Sequence, residues 1–410
     1  MATPEIAITG VGVLSPIGCS ITEVHSNLLA LRSGISLWQS DQLREHFAAG
    51  RVDTPVADGY TNLELPFLER TTLLALSAAR QASTDSGITD YSAYGCRAGL
   101  FYATVRGGSR YEWDWLRQHY LQGRQTARPN VIMASMPNAA AAQISIRSQI
   151  LGPVATHTSA CSSSGATIAD ACRHLITGEV DIALAGGAES PLSPEFLGAW
   201  AGLRAMADVD EADVGRSCKP FAVARSGLVL SEGAVFFVLE TVEHARQRGA
   251  PIHGIVSGWG AASDAYHIGQ PHSRGQIAAM RLALEHAGLA GVQLGYVNAH
   301  GTGTRGGDPI EVASLKEVLG PHACNVPVSS TKAQHGHMLG AASAMELLVC
   351  LLAIKHSFLP ATAHLDEIAP DCDGLMHVQQ PTLNHAIRHA MSLSAGFGGT
   401  NVALIVSADH

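Results

Sequence analysis

The side chains best suited to chemistry sit where short apolar runs give way to small or hydroxyl-bearing residues. Cys161 closes the run Pro153-Val-Ala-Thr-His-Thr-Ser-Ala-Cys161 and opens Ser162–Ile176, whose many small residues suit a tightly packed central helix. A thiol at such a strand-to-helix turn meets free backbone N–H groups and the positive end of the helix dipole, both of which favour an anion. The expectation is a thiol of lowered pKa and raised nucleophilicity; the plainer alternative is an ordinary buried cysteine.

Three further segments have a similar character. Asn298-Ala-His300-Gly-Thr302-Gly-Thr304 is a strand end running into a loop of glycine and threonine, where the backbone can approach a ligand closely. Ser329-Ser-Thr-Lys332-Ala-Gln-His335-Gly-His337-Met-Leu-Gly340 places a lysine and histidines at another strand-to-helix turn, followed by a helical stretch carrying Glu346. Ser394-Ala-Gly396-Phe397-Gly398-Gly399-Thr400 is a glycine-dense turn that can offer a backbone N–H beside one bulky side chain. Each also has a plain reading: a solvent-facing histidine, a solvated lysine among capping groups, an ordinary turn.

The elements that must position these residues recur along the chain. Ile6-Ala-Ile-Thr-Gly10-Val-Gly12 is echoed by Ile255-Val-Ser-Gly258-Trp-Gly260, and Leu100-Phe-Tyr-Ala-Thr104 by Tyr296-Val-Asn-Ala-His300. The Cys161 block is echoed by Pro327-Val-Ser-Ser-Thr-Lys332, and Ile182-Ala-Leu-Ala-Gly-Gly-Ala188 by Met391-Ser-Leu-Ser-Ala-Gly396. The order is the same each time, with the longer insertions in the first half, notably 106–148. Strands alternating with helical stretches predict βαβ units whose helices cover the sheets. The chain therefore divides into two similar halves, 1–250 and 251–410, each contributing one layer, with a site between them.

Composition narrows the class. The chain has 410 residues, 46% hydrophobic and 15% charged, enough for a large core and the opposite of a disordered balance. A net charge of −9 without a basic run argues against nucleic acid as partner. Met1–Gly12 lacks the basic start and cleavage pattern of a signal peptide. The longest strongly apolar stretch, Ala344–Ile354, is about half of the ~20 residues a membrane span needs. The cysteines form no CxxC pair and give no zinc signal. These features predict a cytoplasmic α/β enzyme that neither enters a membrane nor binds a metal.

In this order and spacing, Thr-Ser-Ala-Cys161-Ser-Ser, His300-Gly-Thr-Gly-Thr, Ser-Thr-Lys332-x-x-x-Gly-His337-x-Leu-Gly-Ala-Ala and Gly-Phe397-Gly-Gly-Thr-Asn resemble the β-ketoacyl-acyl-carrier-protein synthases of types I and II. Cys218-Lys-Pro-Phe and Arg225-Ser-Gly-Leu-Val-Leu-Ser-Glu232 add to the likeness, which spans nearly the whole chain. The resemblance implies a thiolase-like fold, with its α-β-α-β-α layers, and a decarboxylative Claisen condensation of malonyl-carrier-protein with an acyl group held on Cys161. It further implies that His300 and His337 form the decarboxylation pair, with Lys332 beside them and Glu346 as its partner. Phe397 is implied as the gate, its N–H joining that of Cys161 in an oxyanion hole. Thr302 and Thr304 would hold the phosphopantetheine arm, and no cofactor is needed beyond that carrier. The partners implied are an acyl carrier protein and either a second copy or a chain-length-factor-like subunit.

Several positions depart from the family pattern: Ala222, Ser226, Ser343 and Leu393. By the resemblance, Arg106 falls where relatives line the acyl pocket with small or apolar residues; the expectations are an acyl substrate that is short, polar or conjugated, or an Arg106 turned away to an acidic partner, with a misaligned loop residue as the alternative. Arg70, Arg128 and Lys219 are the docking candidates for an acidic carrier, each with ordinary solvated charge as the alternative. Arg225-Ser-Gly-Leu-Val-Leu-Ser-Glu and His-Gly-Thr-Gly-Thr-Arg305 look closer to type II polyketide ketosynthases than to fatty-acid elongation enzymes. A non-catalytic chain-length-factor-like subunit is the rival of another class, opposed by the presence of Cys161, His300 and His337. A zinc site of His300, His335 and His337 lacks an HExxH pattern, and Lys332 would oppose a cation. A thiolase would carry a second cysteine where Phe397 stands.

Overall fold

The short apolar runs that punctuate the sequence become the strands of one eleven-stranded sheet. The structure is a computed structural model describing residues 4–54, 56–57 and 59–409, so the first three residues of the N-terminal stretch lie outside it. In chain order the strands are Ile6–Leu14 (β1), Ala98–Ala103 (β2), Val154–His157 (β3), Ile182–Glu189 (β4), Gly233–Thr241 (β5), Gly254–Ser263 (β6), Tyr296–Asn298 (β7), Pro327–Ser329 (β8), Met376–His377 (β9), His389–Gly396 (β10) and Thr400–Ser407 (β11). Their lateral order is β9-β8-β7-β10-β11-β6-β1-β5-β4-β2-β3.

That order contains the same arrangement twice. In one half β3, β2 and β4 are parallel and β5 and β1 follow antiparallel. In the other, β8, β7 and β10 are parallel and β11 and β6 follow antiparallel. β1 pairs with β6 where Ile6 faces Val256, which joins the two halves into one sheet.

Parallel neighbours require long crossovers, and here these are helices. They include Arg70–Asp85 (α1), Ser163–Ile176 (α2), Pro194–Gly202 (α3), Ser273–Ala287 (α4), Gly307–Leu319 (α5) and Ala342–His356 (α6). α2 and α6 touch each other, and each touches strands of both halves, so they form the middle layer. α1 covers one half of the sheet from outside and α4 the other half, which yields the α-β-α-β-α stack. Every residue from Ala342 to Ile354 is buried, as a helix apolar on all sides requires. Leu339–His356 is long and apolar enough to cross a membrane by length and composition, but 89% of it is buried in this middle layer.

The glycine echo has a packing cause. A Cβ on Gly10 or Gly12 would lie 2.1 Å from the Ala82 carbonyl or 1.9 Å from that of Ala78, both in α1. In the other half a Cβ on Gly258 or Gly260 would lie 2.4 Å from the Ala283 carbonyl or 2.1 Å from that of Ala279, both in α4. Each central strand thus meets its outer helix backbone to backbone. The smaller sheets, among them Ile35–Trp38 with Phe47–Gly50, lie outside the layers.

Candidate active site

Cys161 stands just past β3, one residue before α2's N-cap Ser162. The turn is held by hydroxyls: Ser162 Oγ donates to the Ser159 carbonyl (2.8 Å), Ser163 Oγ to that of Ala160 (2.6 Å), and Thr400 Oγ1 to that of Ser159 (2.9 Å). Ala160 takes φ of 52°, left-handed backbone that a non-glycine residue rarely adopts. This local strain points the following side chain into the space between the halves.

Donor atoms of Cys161, His300 and His337 all lie within 4.8 Å of one another. The two histidine rings meet edge to face with centroids 5.3 Å apart. They line, with Cys161, a cavity of about 950 Å³ whose walls also include Thr302, Thr304, Phe397 and Asn401.

The electrostatics differ from the sequence expectation at one point. Burial raises the Cys161 thiol to about 11, although the Lys332 charge and the N–H groups of Phe397 and Cys161 act against it. Desolvation of the thiolate outweighs the favourable turn, so the expectation of a lowered pKa fails for the free site. The same N–H groups of Phe397 and Cys161 converge near the sulfur.

Both histidines are held neutral: burial first, and the Lys332 charge second, lower their pKa well below the ordinary imidazole value. Their tautomers follow from their partners. The Leu339 N–H donates to His337 Nδ1 (3.1 Å), so the proton of the neutral ring must sit on Nε2, which is buried without a partner. Lys332 Nζ lies 3.3 Å from His300 Nδ1 and donates to the His300 carbonyl at 2.5 Å, which likewise leaves His300 an Nε2–H.

Lys332 is ion-paired with Glu346, both fully buried. Burial pushes the Glu346 carboxyl up, while the ammonium and the Ser394 hydroxyl pull it down. Ser394 Oγ donates to Glu346 Oε2 (2.9 Å), Ser343 Oγ to Ser394 Oγ (2.8 Å), and Ser343 Oγ also lies 3.2 Å from the Cys161 carbonyl. The departure at Ser343 therefore ties the lysine–glutamate pair to the Cys161 turn. Leu393, the other departure nearby, packs into an apolar cluster.

Two acids escaped the sequence reading. Glu311 accepts the N–H groups of His300 (2.5 Å) and Gly301 (2.7 Å), and Asp308 accepts those of Gly303 (3.1 Å) and Phe221 (2.8 Å). Burial raises them to about 8 and about 6. Their signal was present in Gly307-Asp308-Pro-Ile-Glu311, where i, i+3 spacing puts both carboxyls on one face at the start of α5.

The remaining candidates are dispersed. Thr302 and Thr304 hydroxyls lie 3.0 Å apart at the cavity wall. The Phe397 ring is 5.6 Å from that of Trp200. Arg70 is partly exposed and donates to the buried Glu232 at 2.7 and 2.5 Å and to the Val52 carbonyl at 2.7 Å. Freeing it would leave that buried carboxylate without its ion-pair partner. Lys219 is paired with Asp210 (2.8 Å) beside the mouth, and Arg128 is exposed away from the cavity walls. Arg204 and Arg305, exposed at the mouth, were not among the docking candidates. Arg106 is exposed outside the cavity, its guanidinium 5.7 Å from the centroid of the Phe196 ring. His335 belongs to no three-histidine cluster, because it donates to the Gly336 carbonyl (2.7 Å) and accepts from Thr331 (3.0 Å).

Comparison with known proteins identifies the family. Residues 3–245 match the beta-ketoacyl synthase N-terminal domain and residues 253–366 its C-terminal domain. Nodulation protein E of Rhizobium meliloti is 36% identical, covering 98% of each chain. The 3-oxoacyl-[acyl-carrier-protein] synthase 2 of Coxiella burnetii is 33% identical over 99% of each. The tetracenomycin polyketide synthase ketoacyl synthase alpha subunit of Streptomyces glaucescens is also 33% identical, with 99% of this chain and 97% of that one covered. Among solved structures, the ishigamide ketosynthase/chain length factor superposes with a TM-score of 0.92 at 30% identity, covering 100% of each chain. A type II polyketide ketosynthase in complex with its acyl-carrier protein gives 0.91 at 26%, again over 100% of each. The chain therefore belongs to the β-ketoacyl synthase family, enzymes that condense acyl groups on a thiolase-like fold.

Proposed function

We propose that Cys161 accepts the acyl group and that His300 and His337 stabilise the enolate formed when a malonyl thioester loses CO₂. The observation that carries this reading is the unpartnered Nε2–H of buried His337, with His300 held in the same tautomer. Two neutral N–H donors beside a thiol fit a thioester oxygen that becomes negative during decarboxylation. The thiol attacks an acyl thioester, with the Cys161 and Phe397 N–H groups bound to the tetrahedral oxygen. The enolate carbon then attacks the acyl-Cys161 ester and expels the Cys161 thiolate, which takes a proton from solvent, giving a 3-ketoacyl chain two carbons longer. Burial first, and then the charge of Lys332 locked to Glu346, keep the histidines neutral, and Lys332 fixes the His300 carbonyl. All electrons are accounted for without metal or redox cofactor, and a metal on Cys161, His300 and His337 would sit beside the Lys332 ammonium.

The substrates are proposed to arrive on an acyl carrier protein, whose arm would pass Thr302 and Thr304, and the working unit to be a dimer with a second copy or a chain-length-factor-like subunit. Solved relatives bound to a carrier protein and to a chain length factor support this. Halves 1–250 and 251–410 would then divide the labour, nucleophile in one and histidines with lysine in the other. Specialised biosynthesis in the cytoplasm is proposed ahead of fatty-acid elongation; relatives named for polyketide formation support it, and a 3-oxoacyl-[acyl-carrier-protein] synthase 2 is equally similar.

The test is intact-protein mass spectrometry with acyl-carrier-protein thioesters, alongside CO₂ release from malonyl-carrier-protein. Cys161→Ala is expected to lose the acyl adduct. His337→Ala is expected to keep the adduct and slow CO₂ release by about 10² to 10³, the range for losing one such donor. Undiminished decarboxylation in His337→Ala would overturn the assignment.

A further inference from the structure

Glu189, the last residue of β4, is buried and takes no part in the proposed chemistry. Its carboxyl is held by neutral donors from two separate loops. Oε1 accepts the Arg106 N–H (3.2 Å) and the Thr104 hydroxyl (3.2 Å), and Oε2 accepts the N–H groups of Val105 (2.6 Å) and Gly340 (3.3 Å). Burial raises this carboxyl to about 7 against the pull of those donors, as expected where a carboxylate is desolvated among neutral partners. Residues 104–106 follow β2 in the first half, and Gly340 follows His337 in the second. One carboxyl therefore ties the halves together three residues from His337. Gly340 admits it: a Cβ there would lie 2.8 Å from Glu189 Oε2.

Leu339, between His337 and Gly340, takes φ of 43°, left-handed backbone that a leucine rarely adopts. Two successive N–H groups there go to two side chains: that of Leu339 to His337 Nδ1 (3.1 Å) and that of Gly340 to Glu189 Oε2. Strain of this kind persists only where the surroundings over-determine it. The His337 main chain is fixed independently, its N–H donating to the Val229 carbonyl (2.7 Å) and its carbonyl accepting the Ser231 N–H (3.0 Å). Resting on the reading of His337 as a donor to the enolate, we propose that Glu189 is a positioning residue for His337. By anchoring the Gly340 N–H it keeps the Leu339 N–H on Nδ1, and so keeps the ring proton on Nε2, facing the substrate oxygen. Without that anchor the strained turn relaxes, Nδ1 loses its donor, and the neutral ring is free to carry its proton there instead. Acyl loading depends on Glu189 less, because the Cys161 turn has its own hydroxyl supports in Ser162, Ser163 and Thr400. Thr158 Oγ1 also ties the strand before Cys161 to the Thr104 carbonyl (2.9 Å), a bond that Glu189 does not share.

The experiment measures acyl loading of Cys161 and CO₂ release from malonyl-carrier-protein in the full chain, for the wild type, Glu189→Gln, Glu189→Asp and His337→Ala. Glutamine keeps the shape but offers one acceptor oxygen and turns N–H groups toward backbone N–H groups. In Glu189→Gln the kcat for CO₂ release is expected to fall about 10- to 10²-fold, the scale of a misplaced catalytic group. KM for malonyl-carrier-protein and the acyl-loading rate should change little. Glu189→Asp keeps the charge but is one methylene short of holding both loops, so a smaller fall is expected. Nitrogen-15 spectra of histidine-labelled protein, with His337 assigned by its loss in His337→Ala, should show Nε2–H in the wild type and partial Nδ1–H in Glu189→Gln. CO₂ release at the wild-type rate in Glu189 variants that load Cys161 overturns the proposal, as does slow release with the His337 tautomer unchanged. Acyl loading that falls as far as CO₂ release in both variants makes Glu189 a general structural support and overturns it too. Undiminished CO₂ release in His337→Ala overturns the reading of His337 itself, and this inference with it.

Discussion

The Cys161 thiol is protonated at rest, because burial holds it at about 11 against the pull of Lys332 and two N–H groups. Its reaction with iodoacetamide should then rise about tenfold per pH unit from pH 7 to pH 9, following the thiolate fraction. Peptide mass spectrometry isolates this residue from the exposed Cys96 and Cys324. A rate already level at pH 7 would mean that the thiolate exists in the free site and that its burial is overcome. The residue's identity was legible in its place before a small-residue helix. Its proton was not, since desolvation depends on everything that closes over the turn, including Leu339 and Trp200 from distant segments.

At the scale of elements, the two central strands carry glycines because their outer helices lie against them. Gly258→Ala would place a methyl 2.4 Å from the Ala283 carbonyl, so β6 and α4 must part. The expected loss is about 1–3 kcal/mol, the range for overpacking, read as a lower denaturation midpoint. Gly202→Ala is the contrast: it stands in α3 with nothing within 4 Å of the added Cβ, so its midpoint should hold or rise. Equal midpoints for both variants would refute the close approach. The repeated Gly-x-Gly pairs were visible in the sequence as echoes, and so were the strands that run toward Cys161, His300 and Lys332. The mates of those strands were not visible, because β3 beside β2 and β8 beside β7 are joined by long crossovers.

Taken as a whole, the molecule is acidic, with a net charge of −9, yet exposed arginines stand at the mouth of its cavity. If an acidic carrier docks there, reversing Arg204 and Arg305 together to Glu should lower kcat/KM for carrier-bound substrate at least about tenfold and flatten its salt dependence. Turnover of a small pantetheine thioester should stay unchanged, because it needs no docking face. Equal losses on both substrates would place these arginines in the catalytic site and not on a carrier surface. Arg70 illustrates why such surfaces resist sequence reading: its charge is committed to Glu232, which lies 162 positions away.

By itself the sequence determined which groups were available for chemistry, where the strands end, and the doubled order that makes two halves of one chain. These are local properties of residue type, period and turn. The tertiary structure alone decided what those groups are like when assembled. It made the thiol a protonated one, fixed both histidines as Nε2–H donors, and recruited Asp308, Glu311 and Ser343 as their supports. Protonation and tautomer are set by solvent exclusion and by hydrogen-bond partners, and both arise only when segments far apart in the chain close around the same few atoms.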